Sequence, residues 1–185
     1  MQSLIACQRM IKKKGLNMRE LNDVLRGKAQ RIKLVAMDVD GVLTDGGMYY
    51  SESGSEMKKF HSRDGMGIKL LQRLDIITAL ITSENTKLVQ RRADRLAIPE
   101  VHQGTFEKDI IIQKLCKKYS ILMEDVAFFG DDVNDLEALI QVGFSFAPAN
   151  AVNIVQKTVD YVCECKGGEG AVREMSDLIL CVQTV

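Results

Sequence analysis

Short apolar runs alternate with helical patterns along most of the chain, and this alternation constrains the fold more than any other feature of the sequence. The runs are rich in the β-branched and aromatic residues that buried strands favour. A chain in which strands and helices alternate forms a parallel sheet with helices on both faces. We therefore predict an α/β, Rossmann-like fold. The predicted strands are 32–37, 76–81, 126–129 and 144–147, with weaker candidates at 101–103 and 161–163, and the predicted helices are about 65–74, 86–96, 108–119, 134–142 and 171–181.

Residues 46–60 interrupt this alternation directly after the first predicted strand. They form two short strand patterns around a turn rich in Ser and Gly at 51–55, which predicts a small β-hairpin. The hairpin and one helix fill the chain between Asp40 and Thr82. We therefore predict a β-hairpin insertion after the first strand and no cap domain at this position.

The chain length predicts one compact domain with a short N-terminal extension. A chain of 185 residues can bury roughly 70% of the surface that its unfolded form exposes. We assign residues 1–30 to the extension and a peripheral helix, with Asn17 as the N-cap of a helix over 18–25. Residues 31–185 form the predicted main domain, which includes the 46–60 hairpin.

The charge balance argues against two classes of partner. The chain has 25 basic and 25 acidic residues, so it has no global field that would attract nucleic acid or an anionic membrane. No apolar run in the sequence approaches the roughly 20 residues that a membrane-spanning helix needs. We expect a small-molecule partner, with no nucleic acid and no membrane.

The five cysteines lack the paired spacing of a zinc site or a disulfide framework. We interpret them as reduced thiols in a cytoplasmic protein. Cys163 and Cys165 would lie on the same face of a strand, but two ligands do not make a metal site, and we expect them to serve in strand packing.

Two aspartates, Asp38 and Asp40, follow the first predicted strand. A carboxylate at the end of a buried strand costs several kcal/mol unless it is paired, hydrogen-bonded or bound to a cation. On an extended backbone the side chains of residues i and i+2 point the same way, and Gly41 permits a sharp turn beside them. The pair can therefore face one reacting atom.

A second acidic cluster, Asp131, Asp132 and Asp135, follows the predicted strand 126–129. In a parallel sheet this cluster would converge on the same edge as Asp38. Carboxylate oxygens gathered there suit Mg²⁺. The alternative is that Asp131 or Asp132 caps the next helix, which would explain one aspartate but not all three.

Two further side chains fit a phosphate site at this edge. Thr82 ends the strand 76–81 and offers a hydroxyl donor, although it could instead cap the following helix. Lys108 lies near the start of a helix, where a cation opposes the helix dipole unless an anion is close. A solvated surface lysine is the alternative interpretation of Lys108.

Taken in order, these features resemble the four motifs of the haloacid dehalogenase superfamily. The motifs are DVDGVLTDG at 38–46, Thr82, Lys108 and GDDVND at 130–135. Within the superfamily the chain resembles the small, cap-free phosphatases of 3-deoxy-D-manno-octulosonate (KDO) 8-phosphate and their relatives that act on nine-carbon sugar acid 9-phosphates. The segments RDGMG at 63–67 and GGEGAVRE at 167–174 extend the resemblance to nearly everything after residue 31.

The resemblance implies a Mg²⁺-dependent phosphatase and a role for each motif residue. Asp38 would be the nucleophile that forms an aspartyl-phosphate, and Asp40 the general acid and base. Thr82 and Lys108 would hold the phosphoryl oxygens. The implied metal ligands are Asp38, Asp131 and the backbone carbonyl of Asp40, with Asp132 and Asp135 supporting them.

The substrate is less clearly implied than the reaction. After the motif threonine the octulosonate enzymes usually carry Gly-Arg, whereas this chain has Ser83 and Glu84. A carboxylate repels an anionic sugar acid, and the nine-carbon enzymes resemble this chain more closely here. Glu84 could equally be an acid that favours the start of the next helix. The candidate substrate-binding residues are Arg63, Glu84, Arg92, Arg95 and Arg173.

The resemblance also implies a homotetramer in which the 46–60 hairpins pack together and each subunit helps to cover a neighbour's site. The apolar and aromatic hairpin residues are compatible with such burial, although they could face their own domain instead. These residues are Met48, Tyr49, Tyr50, Met57 and Phe60.

Three functions remain open at this point. The preferred one is a phosphatase of a ketosugar acid phosphate, with KDO 8-phosphate ahead of a nine-carbon 9-phosphate. The second is a non-catalytic assembly module of sugar-nucleotide synthesis, against which the complete set of motif residues argues. The third is a phosphoacceptor signalling domain, which fits poorly because its phosphorylated aspartate normally follows the third strand.

Overall fold

A computed structural model describes residues 23–184 of the chain. The cap Asn17 and most of the helix predicted over 18–25 lie outside these residues. The described strands are β1 (Leu34–Met37), β2 (Tyr49–Tyr50), β3 (Glu56–Met57), β4 (Ile77–Ile81), β5 (Glu100–His102), β6 (Val126–Phe129), β7 (Phe144–Ala147) and β8 (Tyr161–Val162). The described α-helices are α1 (Asp23–Arg31), α2 (Ser62–Gln72), α3 (Lys87–Leu96), α4 (Lys108–Tyr119), α5 (Leu136–Gln141), α6 (Asn153–Thr158) and α7 (Ala171–Gln183).

Six strands form one parallel sheet in the order β5-β4-β1-β6-β7-β8. Strand β1 lies inside this sheet, and its Leu34 is in register with Ile77 of β4 and Val126 of β6. Asp38 follows β1 directly, so this aspartate lies at the carboxyl edge near the centre of the sheet. In open parallel sheets this edge is where ligands bind.

The sheet has a hydrophobic core on each face because side chains alternate along every strand. On β1, Val35 and Met37 belong to one core, whereas Leu34 and Ala36 belong to the other. Helices α1, α2, α3 and α7 cover the first core, and helices α4, α5 and α6 cover the second. The predicted α/β fold with helices on both faces is confirmed.

The predicted hairpin is present, with shorter strands than the sequence pattern suggested. Strands β2 and β3 pair antiparallel, with Tyr49 opposite Met57. A two-stranded ribbon outside the main sheet has few ladder bonds and little burial to extend it. At its base, Thr44 and Phe60 form an antiparallel bridge, and Phe60 packs against the first core. Between the hairpin and β4 lies helix α2, so no cap domain occurs there.

Other element boundaries differ from the prediction by a few residues. Helix α2 begins at Ser62, three residues before the predicted start at 65. The helix predicted over 134–142 begins with a single 3₁₀ turn at Val133–Asp135 and continues as α5. Strand β8 ends at Val162, so Cys163 follows the strand and is buried.

Helix α1 packs against the rest of the described chain. Its Ala29 lies in the first core, and Gln183 in the last turn of α7 donates hydrogen bonds to the carbonyls of Ala29 and Ile32. The domain boundary near residue 30 stays a prediction. Within residues 23–184 no helix has the length and apolar character needed to cross a bilayer.

Candidate active site

The carboxyl ends of β1, β4 and β6 open into a cavity of about 240 Å³. Asp38 follows β1, Thr82 follows β4, and Asp131 and Asp132 come after β6, and all four line the cavity. Neighbouring parallel strands thus bring together residues that are far apart in sequence. The cavity is lined by six of the predicted site residues: Asp38, Asp40, Thr82, Glu84, Asp131 and Asp132.

Lys108 reaches the site from the first turn of α4. Its side chain is fully buried, with the ammonium 3.0 Å from Asp38 Oδ1 and 2.5 Å from Asp135 Oδ1. Burial alone would lower the pKa of Lys108, but Asp38 and Asp135 raise it above its ordinary value, so the side chain stays charged. The solvated-surface interpretation of Lys108 is therefore wrong.

The carboxyls around Lys108 carry more negative charge than one ammonium compensates. The pKa of Asp38 is raised to about 7, mainly by burial and in addition by repulsion from Asp135. The charge of Lys108 lowers this pKa but does not offset the other two effects. Burial and the charges of Asp38 and Asp135 raise the pKa of Asp131 to about 8. Such shifts indicate a site that would be stabilised by an additional cation.

The donor set fits the predicted Mg²⁺ ion. Oxygens of Asp38, Asp131 and Asp135 lie within 4.8 Å of one another, the only such group of metal-ligand side chains in the part of the chain that the structure describes. Asp135 is already occupied, because Oδ1 binds Lys108 and Oδ2 accepts from the backbone NH groups of Asp131 and Asp132. By contrast, Oδ1 of Asp131 is buried without a partner. Asp38 and Asp131 therefore remain for a cation, and one or two carboxylates suit Mg²⁺.

A glycine permits the close approach of Asp131. Gly41 has φ +82, and a Cβ there would lie 1.9 Å from Asp131 Oδ2. The segment 38–46, called the aspartate loop below, also packs against the closing glycine motif. Gly168 donates to the carbonyl of Val42 at 3.0 Å, and a Cβ on Gly167 would lie 1.7 Å from the carbonyl oxygen of Gly41. The motif at 167–174 thus contacts the aspartate loop backbone to backbone, at a distance that a side chain at position 167 would prevent.

Asp131, Asp132 and Thr82 were each considered as a possible helix cap, and of these Asp132 is the cap in the structure. Asp132 caps the short 3₁₀ turn, accepting from the NH of Val133 at 2.7 Å. Thr82 does not cap α3, because that helix begins after Thr86, whose hydroxyl accepts from Leu88. Thr82 is buried at the cavity, and its Oγ1 accepts from the NH of Glu84 at 3.2 Å.

Of the five candidate substrate-binding residues, Glu84 lines the cavity and the four arginines do not. Glu84 is exposed and lines the cavity beside Ser83. Arg92 donates to the carbonyl of His61 at 2.9 Å and lies over the Phe60 ring. Arg173 pairs with a carboxylate one turn along α7. Arg63 and Arg95 are exposed, and no arginine of this set lines the cavity of the single chain. Their substrate contacts stay a prediction.

Two residues near Asp40 escaped the sequence analysis. Lys58, at the end of the hairpin, places its ammonium 2.5 Å from Asp40 Oδ1, and its side chain is only 5% exposed. Thr44 Oγ1 donates to the same oxygen at 3.3 Å. The signal for Lys58 was its position two residues before Phe60, which puts both side chains on one side of an extended segment.

The family follows from comparison with known proteins. Residues 71–175 match the haloacid dehalogenase-like hydrolase family. The chain is 42% identical over 159 residues to the 3-deoxy-D-manno-octulosonate 8-phosphate phosphatase KdsC of Haemophilus influenzae, covering 86% of this chain and 88% of that protein. It is 43% identical over 156 residues to KdsC of Escherichia coli K12, covering 84% and 83%. The chain belongs to the haloacid dehalogenase-like hydrolases, as its motifs predicted.

Solved structures give the same result. The 3-deoxy-D-manno-octulosonate 8-phosphate phosphatase of Moraxella catarrhalis, solved with magnesium, phosphate and KDO, superposes with a TM-score of 0.86 at 39% identity, covering 89% of this chain and 94% of that one. The cobalt-bound phosphatase YrbI of Haemophilus influenzae gives a TM-score of 0.82 at 43% identity, covering 85% and 92%. These proteins, with the two KdsC sequences, are similar to this chain over most of their length.

Proposed function

We propose that this protein is a Mg²⁺-dependent phosphatase that hydrolyses KDO 8-phosphate to KDO and phosphate. The observation that carries the proposal is the position of Asp38 at the cavity, beside the buried Lys108 and the unpartnered oxygen of Asp131. The similar proteins named as phosphatases of this sugar acid supply the substrate class.

In the first step an oxygen of Asp38 attacks phosphorus, and the bond from phosphorus to the sugar oxygen breaks. Asp40 donates its proton to that departing oxygen. Lys108 uses two of its three NH donors on Asp38 and Asp135, which leaves one for a phosphoryl oxygen. The Thr82 hydroxyl, which also lines the cavity, would bind another.

In the second step Asp40 takes a proton from water, and the water oxygen attacks the phosphorus of the aspartyl-phosphate. The bond between phosphorus and Asp38 breaks, and the carboxylate of Asp38 and inorganic phosphate are released. Asp38, Asp131 and the carbonyl of Asp40 would hold Mg²⁺, which supplies positive charge between nucleophile and phosphate. Asp135 keeps the backbone of Asp131 in place.

A second candidate substrate is a nine-carbon sugar acid 9-phosphate. It is favoured by Ser83 and Glu84, which both line the cavity and replace the Gly-Arg of most octulosonate enzymes. Glu84 would accept hydrogen bonds from hydroxyl or amide groups of the longer substrate. Replacing Glu84 with Gly should change the ratio of kcat/KM between the two substrates. An unchanged ratio would remove Glu84 from substrate selection.

The function is tested with a panel of sugar acid phosphates, assayed with Mg²⁺ for phosphate release by wild type and Asp38→Asn. Wild type should turn over at least one eight- or nine-carbon substrate, and Asp38→Asn should be inactive. Asp75→Asn, an exposed change at the amino end of β4, is the control and should match wild type. Equal release by Asp38→Asn would refute the nucleophile, and no release from any substrate by wild type would favour the assembly module.

The proposal includes a homotetramer formed through the 46–60 hairpins. Four hairpin side chains are exposed in the single chain, at 52% for Met48, 41% for Tyr49, 63% for Tyr50 and 62% for Met57. Large apolar side chains grouped on one projection support burial by a partner. Met48 also lines the cavity, which supports a neighbouring subunit covering that side of the site.

The proposal also places the protein in the cytoplasm. Cys116, Cys163 and Cys165 are thiols rather than disulfides, as is usual in reducing compartments. Burial raises the pKa of the Cys163 thiol well above its ordinary value, which makes this thiol unreactive. Its burial agrees with a packing role for Cys163.

A further inference from the structure

Lys58 is buried although it belongs to a hairpin whose strands are exposed. Its side chain is 5% exposed, and its ammonium lies 2.5 Å from Asp40 Oδ1. The neighbouring Lys59 is 49% exposed and contacts Asp45 and Glu169 outside the cavity. Two adjacent lysines thus have different environments, and only Lys58 contacts the residue proposed as general acid and base.

The base of the hairpin determines this placement. Phe60 bridges to Thr44 of the aspartate loop and packs against the core. Side chains two apart in an extended segment share a side, so the half-buried ring of Phe60, which packs against the core, places Lys58 inward and Lys59 outward. The hairpin therefore has a function within its own chain, separate from any contact with another subunit.

The contacts of Asp40 distinguish its two carboxylate oxygens. Oδ1 accepts from both Lys58 and Thr44. Oδ2 is buried and has no partner, although Asp40 lines the cavity. A carboxyl group that is fixed through one oxygen leaves the other available, in a defined direction, for a proton transfer.

We propose that Lys58 is a positioning residue that holds the Asp40 carboxyl so that Oδ2 faces the leaving oxygen of the substrate. This inference rests on the proposed function and deepens it. Loss of Lys58 would impair the protonation of the leaving oxygen, whereas the attack by Asp38 does not depend on it. A sugar alkoxide requires that proton in order to leave, but 4-nitrophenolate does not.

The experiment measures release of the leaving group in a single turnover with Mg²⁺, for a sugar acid phosphate and for 4-nitrophenyl phosphate. Lys58→Met should slow release of the sugar roughly 100-fold, the size of a general-acid contribution. Release of 4-nitrophenolate should change less than about 5-fold. Lys58→Arg should recover much of the sugar rate because it keeps a cation at Oδ1, and Lys59→Met is the matched control that should behave as wild type.

The outcomes separate this inference from the proposed function. Equal losses with both substrates, or no loss with either, would overturn the role of Lys58 while wild-type activity still supported the phosphatase. If Lys58→Met does not fold, judged by its thermal transition, the neutral Lys58→Gln takes its place. A loss of sugar release that exceeds the loss of 4-nitrophenolate release supports the proposal, and equal losses overturn it. A wild type without activity on any sugar acid phosphate would instead refute the proposed function.

Discussion

Gly41 is the residue on which the approach of Asp131 to the aspartate loop depends. At φ +82 its missing side chain leaves the space that Asp131 Oδ2 occupies. Gly54, at the tip of the hairpin, has nearly the same φ of +81, but a Cβ there would meet nothing within 4 Å. The two glycines thus share a backbone conformation and differ in what surrounds them.

Gly41→Ala is expected to weaken Mg²⁺ binding about 10–100-fold, as the loss of a supporting contact at a metal site does, because Asp131 must turn away from the new methyl group. Gly54→Ala is the matched control. It carries the same backbone cost of roughly 1–2 kcal/mol but should bind Mg²⁺ as wild type does. Calorimetric Mg²⁺ titration and phosphate release measure the two effects. Equal Mg²⁺ affinity in both variants would contradict this account of Gly41.

Site residues could be predicted where the neighbouring sequence marks them, and they were missed where only the tertiary packing brings them to the site. Asp38 and Asp131 follow buried strands, and the rule that parallel strands share a carboxyl edge was enough to bring them together. The signal for Lys58 is weaker, because its position two residues before Phe60 shows which lysine turns inward only once Phe60 is known to pack against the core. Residue roles and substrate contacts also depend on bound groups and partner chains, which sequence patterns do not specify.

At the scale of elements, helix α4 connects the site to the edge of the sheet. Its first residue, Lys108, lies in the site, and its last turn contacts the edge strand β5. There the buried Glu100 accepts from Lys118 at 2.5 Å and from the Tyr119 hydroxyl, and His102 lies beside it. Burial alone would raise the pKa of Glu100, but the bonds from Lys118 and Tyr119 hold it below its ordinary value.

The stability that Glu100 contributes should depend on pH. Because its folded pKa is below the unfolded value of 4.5, the contribution is complete above about pH 4.5 and is lost as the pH falls through the folded pKa. We expect Glu100→Gln to lower the free energy of unfolding by about 1.5–3 kcal/mol at pH 7, the range for hydrogen bonds to charged groups. The difference from wild type should shrink below pH 4.5.

Urea unfolding from pH 7 to 3.5 measures this difference. Glu124→Gln serves as the control, since Glu124 is 52% exposed in its pair with Arg31, and exposed pairs contribute roughly 0–1 kcal/mol. A difference between wild type and Glu100→Gln that is independent of pH would show that packing, and not the charge of Glu100, anchors α4 to β5.

Element boundaries were predictable where burial fixes both faces of a strand. The sheet strands β6 and β7 lie where the apolar runs at 126–129 and 144–147 placed them. The hairpin strands were predicted too long, because their alternation is not reinforced by a second layer. The turn at Val133–Asp135 departs from the helical pattern because the carboxylate of Asp135 is bound to Lys108 and to the backbone of Asp131.

At the scale of the whole molecule, the hairpin connects the interior of the site with the outer surface. Lys58 and Phe60 face inward, whereas Tyr50 and Met57 are more than half exposed. A cap-free site leaves the substrate open to water on one side, and the proposed tetramer would supply a neighbouring subunit that covers it. The size of the particle in solution tests this arrangement directly.

The double variant Tyr50→Ser with Met57→Ser should reduce the mass of the particle measured by light scattering from that of a tetramer to that of a smaller species. Each substitution removes apolar area that a partner would bury, about 25 cal/mol per Å², whereas neither side chain is buried within its own chain. The fold should therefore persist, with an unchanged far-ultraviolet circular dichroism spectrum. Because the neighbour that covers the site is lost, kcat/KM should fall more for a sugar acid phosphate than for 4-nitrophenyl phosphate.

Leu122→Ser provides the matched control for that variant, since Leu122 is 61% exposed just before β6, at the end of the sheet opposite the cavity. It should keep both the mass and the activity of wild type. A wild type with the mass of one chain would refute the tetramer. If the double variant lost the tetramer but kept wild-type kcat/KM for the sugar acid phosphate, the hairpin would join subunits without covering the site. Selectivity would then have to come from residues of the same chain, with Glu84 at the cavity as the first to test.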